Sequence, residues 1–566
     1  MTKDLAKGHE VAKAKIEEFL SHYEDGMDLL KKPASKAGEW RYPARIKEEF
    51  KDKPGLPKDW VGVVAQVQEF IAVEKYDLDF YNNSIELIND QQMLDNYSSI
   101  GMPASYDHWS FGMQNAMERE KLDKGQMGLA FEIVINSDPS LVYCMDTNTP
   151  LMQILVIAHA AYGHNSFFKG NYMFKDNTQA EHIIEDLEIM RDYIRDCEKK
   201  YGIERVERLL DACHALETHS VSRTKARKAT SEQNRETVEG ESADKPSSIK
   251  SIANRTFKSV KDSHALQVDK EDNLLEFFAD HAPHLEDWQR NIMDMIANKA
   301  QYFYPQRQTQ VMNEGWASFW HYTILHDMQD MDLLSDAQML EFYASHAGVV
   351  KQPEYDETVT VPGPDGQPKE VPIYNGINPY ALGISMFEDI KRICMEPTEE
   401  DREWFPDIAG NQDWLGTFKN VMEDYRDETF IHKYMSPKVM RDFRLFAVVD
   451  DDREETIEVA GIHNDKGFKT VRQLLAAQYR LSERDPNIHV SEYHHRTDRR
   501  LILQHQQFHN KPVEERDMQD VLKYMYHIWG HPIVLESLDN DGNVADVITC
   551  PPDLDLREPE PPTHII

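Results

Sequence analysis

The sequence contains few cysteines, and no two of them have the spacing of a zinc ribbon or a redox motif. The five stand far apart along the chain and form no CxxC pattern: Cys144, Cys197, Cys213, Cys394 and Cys550. Small secreted domains build disulfide frameworks from even, closely spaced sets, so this odd and scattered set argues against such a framework. We therefore expect a protein of a reducing compartment, the cytoplasm.

Long apolar runs are also missing. A membrane-spanning helix needs about 20 consecutive apolar residues, whereas the longest candidate here, residues 154–161, is short and contains His159. The N-terminal stretch has no apolar signal-peptide core and follows the pattern of an amphipathic helix. The sequence therefore predicts neither a membrane span nor a secretion signal.

Positive charge is scarce relative to negative charge. The chain has 63 lysines and arginines against 100 aspartates and glutamates, which gives a formal net charge of −37. A surface this acidic repels phosphate backbones, so we expect no nucleic-acid partner. The sequence also lacks a Walker A loop, a GxGxxG turn and a GxSxG elbow, so it predicts neither a nucleotide-binding enzyme nor an α/β-hydrolase.

What the sequence does contain is helical periodicity and enough apolar side chains for a core. Hydrophobic residues make up 40 % of the 566 residues. Apolar residues recur three and four apart in 9–32, in 58–90 and in much of 178–440, which predicts helices. Two stretches, around 129–146 and 357–374, have β-rich runs on both sides of turn residues and predict β-hairpins. The predicted fold is mainly α with β-hairpins.

Changes in composition suggest the domain organisation. A large helical domain at 1–440 is interrupted at about 222–262, where the polar stretch TSEQNRETVEGESADKPSSIKS lacks aromatic residues and predicts a flexible insertion. Within 441–550, short β-rich runs alternate with two helical segments, which predicts a smaller C-terminal α+β domain with a helix-backed antiparallel sheet. The tail at 551–566 is rich in proline and acidic residues and is predicted to be disordered.

The stretch LVIAHAAYGHNSFFKGN carries the first candidate site residues, His159 and His164. Thr149 and Pro150 predict the start of its helix as N-cap and first helical residue. Five residues are about 140° of rotation on an ideal α-helix, so the two rings would not share a face. For an isolated pair the simpler interpretation is two buried histidines with separate hydrogen bonds. A π-bulge or a helix end at Gly163 would instead bring the rings together.

A second constellation lies in the stretch NEGWASFWH. Glu314 and His321 are seven residues apart, about 700° of turn, and hence lie nearly in register on one helix face. That helix is rich in tryptophan and phenylalanine, and a buried carboxylate there is costly unless it is paired or binds metal. One interpretation is a buried Glu–His hydrogen bond. In the other, Glu314 joins the two earlier histidines to bind a divalent metal, zinc first among the candidates, with His321 as a fourth ligand or as the residue that orients Glu314.

The order of these elements is similar to that of glutamate-zincin peptidases, in which a hairpin, a helix with two histidines and a later glutamate build a metal site. This likeness adds a zincin-like, peptidase-type character to the predicted helical domain. It departs from that class at Ala160, where the usual HExxH helix has its catalytic glutamate. The candidates for a catalytic base are Glu132 on the preceding strand, Glu185 or its neighbour Glu181 downstream, and His108 in an aromatic-rich loop.

Seven motifs between residues 108 and 446 resemble one known family, and the resemblance runs in the same order over most of the chain, from about residue 10 to about 540. They are HWSFG, GLAFEIVINSDPSLVYCMDTNT, HAAYGHNSFFKGNYMF, LEDWQRNIMDMI, MNEGWASFWHYTIL, NPYALGISMFEDI and RDETFIHKYMSPKVMRDFRLF. Together they are similar to the SpoVR family, the stage V sporulation protein R-like proteins. The resemblance implies a bacterial protein of sporulation or stress response, with a PrkA-type serine kinase and a von Willebrand-like protein as partners. It assigns no catalytic residue and no oligomeric state.

Two functions follow as expectations. The first is a SpoVR-like protein with a metal-binding, peptidase-like cleft that hydrolyses amide bonds with the help of a metal ion. The alternative is a non-catalytic scaffold or regulator in a PrkA-type kinase complex, whose acidic surface would suit a basic partner.

Overall fold

The computed structural model describes most of the chain. The described residues are 4–31, 43–98, 106–123, 131–222, 266–271, 273–354, 357–362, 368–445, 447–449, 458–460, 464–480, 485–494, 498–507 and 512–552. The predicted insertion at 222–262 and the predicted tail at 551–566 lie, apart from their first residues, outside the described residues.

Helices dominate the described residues, as the periodicity predicts. In chain order they are α1 (Leu5–Leu20), α2 (Trp60–Phe70), α3 (Asp90–Ser98), α4 (Trp109–Asp123), α5 (Pro150–Ile157), α6 (Asn165–Gly170), α7 (Tyr172–Asn177), α8 (Ile183–Tyr201), α9 (Ile203–Ala215), α10 (Leu274–His281), α11 (Asp287–Gln308), α12 (Gln310–Asp330), α13 (Asp336–Val349), α14 (Pro379–Met395), α15 (Glu399–Trp404), α16 (Trp414–Asp424), α17 (Asp427–Tyr434), α18 (Pro437–Asp442), α19 (Asp465–Gln478) and α20 (Glu515–Trp529). Two π-helices continue α2 and α5, at Ile71–Lys75 and Ala158–His164.

The strands form four small sheets. In chain order they are β1 (Asn83–Ile88), β2 (Glu132–Ile135), β3 (Ser140–Met145), β4 (Leu266–Glu271), β5 (Thr358–Pro362), β6 (Pro368–Pro372), β7 (Ala447–Val449), β8 (Glu458–Ala460), β9 (Asn487–Tyr493), β10 (Leu501–Gln506), β11 (Ile533–Leu538) and β12 (Val544–Cys550). The sheet orders are β1-β3-β2, β12-β11-β10-β9-β4, β5-β6 and β7-β8. Both predicted hairpins are confirmed, as the antiparallel pairs β2–β3 and β5–β6.

The helix predicted over 58–90 is wrong in its second half. Trp60 to Lys75 is helical, but Asn83–Ile88 forms β1, which pairs in parallel with β3. The partner strand lies more than 50 residues away in the sequence, at Ser140–Met145. Local periodicity cannot register a partner at that distance, and pairing with a neighbouring strand overrides local propensity.

The chain divides into two compact units, each with segments from distant parts of the sequence. The first unit comprises Met1–Met102, Met113–Lys175 and Gln308–Ala477, and the second comprises Pro103–Gly112, Asp176–Arg307 and Gln478–Ile566. This division does not coincide with the predicted boundary near residue 440. In the second unit the C-terminal strands form one sheet with β4, and α20 packs on α9, so the C-terminal segment shares its core with Asp176–Arg307.

The sheet of the second unit is mixed, so the expectation of an antiparallel sheet is wrong for one pair. β10 and β11 run parallel, while β9–β10 and β11–β12 are antiparallel. Parallel neighbours need a crossover connection, and α20 provides it between β10 and β11. Its apolar side is buried along Met518, Leu522, Met525 and Trp529.

In the first unit, α5 begins as predicted and then changes its hydrogen-bonding pattern. The Thr149 side chain accepts from the N–H of Met152 at 3.2 Å, and Pro150 is the first helical residue. From Ala158 to His164 the chain is a π-helix, in which hydrogen bonds join residues five apart. The five-residue spacing of His159 and His164 therefore places them above one another, and their ring centres lie 4.5 Å apart.

Small residues bring the backbones around the π-helix into close contact. A Cβ atom added at Gly163 would lie 2.6 Å from the Cα of Ala317 on α12, a distance that real Cβ atoms do not adopt. On α12, Gly315 meets Gly383 of α14 in the same way, backbone against backbone. These contacts hold α12 between the π-helix and α14 and so bring Glu314 beside the two histidines.

Replacing Gly163 by alanine is therefore expected to destabilise the first unit. The added methyl group forces the π-helix away from α12, and overpacking of this kind costs about 1–3 kcal/mol. Urea unfolding measures the loss. Gly348→Ala on α13 is the matched control, because a Cβ there meets no described atom within 4 Å. Equal unfolding free energies for the two variants would contradict the close contact.

Candidate metal centre

Three side chains of the first unit converge on one point. Potential ligand atoms of His159, His164 and Glu314 all lie within 4.8 Å of one another. Glu314 Oε2 is 3.6 Å from His159 Nε2 and 3.5 Å from His164 Nε2. The π-helix contributes both histidines and α12 contributes the glutamate, so the cluster joins residues about 150 positions apart in the sequence.

The distances suit a shared metal ion better than direct hydrogen bonds. Ligand atoms that bind one tetrahedral zinc ion at about 2.0–2.1 Å lie about 3.3–3.4 Å from one another. Hydrogen bonds between nitrogen and oxygen are shorter, roughly 2.7–3.2 Å. Glu314 Oε2 is buried and has no hydrogen-bond partner among the described residues. The donor set, two imidazoles and a carboxylate, fits zinc and other borderline divalent metals.

The outer nitrogens of the two histidines have partners that leave the inner nitrogens free to bind. His164 Nδ1 donates to the side-chain oxygen of Asn313 at 2.9 Å, so its Nε2 keeps a lone pair. His159 Nδ1 lies 2.9 Å from His321 Nδ1, and His321 Nε2 lies 2.8 Å from His346 Nδ1. When His159 is neutral, a single set of protons satisfies this chain: each ring donates outward, and the lone pair of His159 Nε2 faces Glu314.

The structure places His321 beside His159, outside the group of three converging side chains. It does not belong to the group of converging ligand atoms, and its contact is with His159 rather than with Glu314. Its side chain lies on α12 and is buried from solvent. Its geometry is that of a residue that orients the ring of His159 through the outer nitrogen.

Burial and the neighbouring charges shift the pKa values of all three side chains in the cluster. Burial opposes ionisation of Glu314, but His164 and His159 outweigh it and lower the pKa of that carboxyl. Burial likewise opposes protonation of His159, but Glu314 and Glu132 outweigh it and raise the pKa of His159. For His164 burial prevails and lowers the pKa to about 4. The cluster thus combines an ionised carboxylate with a neutral imidazole at His164, the forms in which these two groups bind metal, whereas the raised pKa of His159 favours a proton that metal binding would displace.

Glu132 is the one predicted catalytic candidate that faces the cluster. It lies at the start of β2, its side chain is only 19 % exposed, and its Oε1 is 3.9 Å from His159 Nε2. Burial raises the pKa of Glu132 to about 7, opposed by His159 and assisted by Glu314. The carboxyl is thus close enough to accept a proton from a group bound among the three ligands.

The other two candidates lie in the second unit. Glu185 is exposed in the first turn of α8, as is its neighbour Glu181 just before that helix. His108 is buried directly before α4, with its Nε2 3.2 Å from Asp211 Oδ1. None of these three belongs to the cluster of His159, His164 and Glu314.

Three further residues complete the surroundings of the cluster and were not identified from the sequence. They are Asn313, His346 and Tyr380. Tyr380 hydrogen-bonds to the Glu314 carboxylate, and its ring stacks on His159 at 6.4 Å. Asn313 directly precedes Glu314 in the sequence, so its position near the cluster could have been predicted from that adjacency. Tyr380 stands in the first turn of α14, where only the packing of α14 on α12 brings it to the site.

These features define a class: a mainly helical protein with small sheets, whose first unit carries a buried cluster of two histidines and a glutamate beside a sheet edge. Comparison with known protein families finds matches that together cover most of the chain. The SpoVR like protein family matches residues 61–484, and the SpoVR-like C-terminal domain matches residues 486–540. The chain belongs to the SpoVR family.

A relative from Escherichia coli strain K12, whose printed name is uncharacterized protein YcgB, is 47 % identical over 484 residues. The match covers 84 % of this chain and 92 % of the relative. No solved structure matches the chain. In the part of the chain that the structure describes, every helix is too short or too polar to cross a membrane.

Proposed function

We propose that this SpoVR-family protein binds a divalent metal ion, zinc first, through His159, His164 and Glu314, and hydrolyses amide bonds there. The observation that carries the proposal is the convergence of one potential ligand atom from each residue within 4.8 Å, with Glu314 Oε2 at 3.6 and 3.5 Å from the two imidazole nitrogens. The family resemblance supplies the cellular setting, bacterial sporulation or stress response.

Each residue around the cluster has a role in such a reaction. A metal ion at this position would supply a water molecule of lowered pKa and polarise the carbonyl oxygen of the substrate. Glu132 accepts a proton from the attacking water and passes it to the leaving nitrogen, because its carboxyl oxygen lies 3.9 Å from His159 Nε2. Tyr380 holds the Glu314 carboxylate, and His321 holds the ring of His159.

The sheet beside the cluster favours an extended peptide as substrate. β2 is the outer strand of the order β1-β3-β2, and among the described residues it pairs on one side only, with β3. The N–H of Met145 donates to the carbonyl of Phe131 at 3.0 Å, so this pair is a hydrogen-bonded one. Because such pairs alternate along an antiparallel ladder, the backbone groups of Glu132 and Val134 point away from β3.

Those outward groups lie on the same strand that carries the proposed base. An extended peptide that paired with Glu132 and Val134 would therefore run past the cluster and present its amide carbonyls there. Amide bonds of peptides or of peptide-containing cell-wall precursors are the substrate class that this edge selects.

Metal analysis and a cleavage assay test the proposal on the full-length protein. Protein purified without a polyhistidine tag is expected to retain about one divalent ion per chain and to cleave members of a peptide library. A chelator should abolish cleavage, and added zinc should restore it. Metal-free protein that also binds no added zinc, cobalt or manganese would refute the metal site.

A second candidate function is a non-catalytic scaffold or regulator, in the complex with a PrkA-type kinase and a von Willebrand-like protein that the family context suggests. Ala160 supports it, since the site helix lacks the glutamate that zincin peptidases use. The net charge of −37 supports it as well, because it favours basic partners. Metal binding without any cleavage of peptides would favour this function.

A further inference from the structure

A second cluster of polar side chains lies wholly in the second unit, around the start of α4. His108 is buried there between a serine and an aspartate. Its Nδ1 lies 2.6 Å from Ser110 Oγ, and its Nε2 lies 3.2 Å from Asp211 Oδ1 on α9. The proposed metal chemistry uses none of these three residues.

The backbone shows which nitrogen of His108 carries the proton. The N–H of Ser110 donates to Nδ1 at 3.3 Å, so Nδ1 accepts and has a free lone pair. The hydroxyl of Ser110 must therefore donate to Nδ1, and the ring proton sits on Nε2. That nitrogen lies 3.2 Å from Asp211 Oδ1 without the angle of a hydrogen bond, and it has no hydrogen-bond partner among the described residues. The indole N–H of Trp109 donates to Asp211 Oδ1, at 2.7 Å, and holds that carboxylate in place.

These groups stand in the order found around a hydroxyl activated for nucleophilic attack: a histidine accepts the proton of a serine, and a carboxylate lies beside the other ring nitrogen. The two ring nitrogens are exchanged relative to the usual arrangement. The ring of His214 packs edge-on against His108 at 4.4 Å, and its Nε2 lies 2.5 Å from the hydroxyl of Tyr106. Burial lowers the pKa of His108 despite Asp211, which leaves the ring neutral and able to take up a proton.

Ser110 and the neighbouring surface of α4 are partly accessible to solvent among the described residues. Ser110 is half-buried, and a Cβ added at Gly112 would meet no described atom within 4 Å. The neighbouring Trp109 is 54 % exposed and offers an apolar surface beside the hydroxyl. Ser110 also lies in the first turn of α4, where the helix dipole favours negative charge that develops during attack on a carbonyl.

From this geometry we infer that Ser110 is a nucleophile for carboxylic esters with an apolar acyl group, an activity separate from the metal centre. Ser110 Oγ forms a bond to the carbonyl carbon and transfers its proton to His108 Nδ1. The bond to the alcohol oxygen breaks, and the alcohol leaves with that proton. Water then attacks the acyl group, its proton passes to His108 and on to Oγ, and the free acid departs from a regenerated serine.

The same contacts also cap α4, since His108 accepts the backbone N–H of Ser110, and the test must separate the two roles. His108→Asn serves this purpose, because asparagine is a good N-cap but cannot act as the base. Ser110→Ala removes the hydroxyl alone, at a half-buried position that tolerates a smaller side chain.

An alkyl fluorophosphonate probe on the full-length protein measures the reactivity directly, because the activated oxygen bonds to phosphorus and displaces fluoride. We expect one probe per chain on Ser110, located by peptide mass spectrometry, and none on Ser110→Ala. The labelling rate should fall at least about 100-fold in His108→Asn and at least about 10-fold in Asp211→Asn. A chelator should leave it unchanged, which keeps the result independent of the metal proposal.

Two outcomes would overturn the inference. One is labelling of the unaltered protein no faster than that of Ser110→Ala. The other is an equal rate in His108→Asn and the unaltered protein, with circular dichroism showing both folded, since the histidine would then act only as a helix cap.

Discussion

Replacement of Glu314 by glutamine is expected to remove bound metal from the purified protein. The amide is almost isosteric with the carboxylate but carries no negative charge, so the site keeps its shape and loses its only anionic ligand among the three. Loss of a residue that merely orients a ligand already costs about 10–100-fold in metal affinity, so we expect at least about 100-fold for Glu314→Gln. Inductively coupled plasma mass spectrometry and titration with zinc measure the change.

Glu388→Gln is the matched control for this experiment. Glu388 is an exposed carboxylate on α14, outside the cluster, so the substitution changes the net charge equally without touching the ligands. Its metal content should equal that of the unaltered protein. If Glu314→Gln and Glu388→Gln hold the same amount of metal with the same affinity, the three converging side chains are a structural network and the proposed centre is refuted.

Replacement of Glu132 by glutamine is expected to separate metal binding from catalysis. The residue lies beside the cluster, 3.9 Å from His159 Nε2, but is not one of the three converging ligands. Glu132→Gln should therefore retain metal and lose about 10²–10⁴-fold in the rate of amide hydrolysis, the usual contribution of a positioned base. Rates are compared at equal metal occupancy on the best peptide found in the library.

Glu86→Gln on β1 is the corresponding control, because Glu86 is an exposed acid in the same three-stranded sheet. It should cleave at the rate of the unaltered protein. Cleavage at an undiminished rate by Glu132→Gln would exclude this residue as the base. Loss of metal together with activity would make Glu132 a ligand instead.

The π-helix explains why the histidine spacing is ambiguous in the sequence. Five residues are about 140° on an α-helix, which separates the two rings. Hydrogen bonds between residues five apart bring the rings to one side of the helix instead, where they meet edge to face. The sequence shows the small residue that permits the change, Gly163. It does not show that Ala317 of α12 lies against that glycine, which is the contact that keeps the π-helix in place.

The sequence predicted correctly those features that depend on residues close together in the chain. The N-cap of Thr149 with Pro150, the β2–β3 hairpin and the helical periodicity around Glu314 depend on neighbours in the chain, and all are present in the structure. The strand β1 and the parallel pair β10–β11 depend on partners far along the chain, and both were missed.

The features of the candidate site likewise separate into those that the sequence determined and those that depend on tertiary contacts. Residue types that bind metal, their burial on apolar helices and the family were all determined by the sequence, because each depends on identity and periodicity. The distances among the three converging side chains, the contact of His321 with His159 and the position of Tyr380 were decided only by the tertiary structure. Their physical cause is the close contact of small residues along α12 with the π-helix and α14, which places side chains from these three elements beside one another.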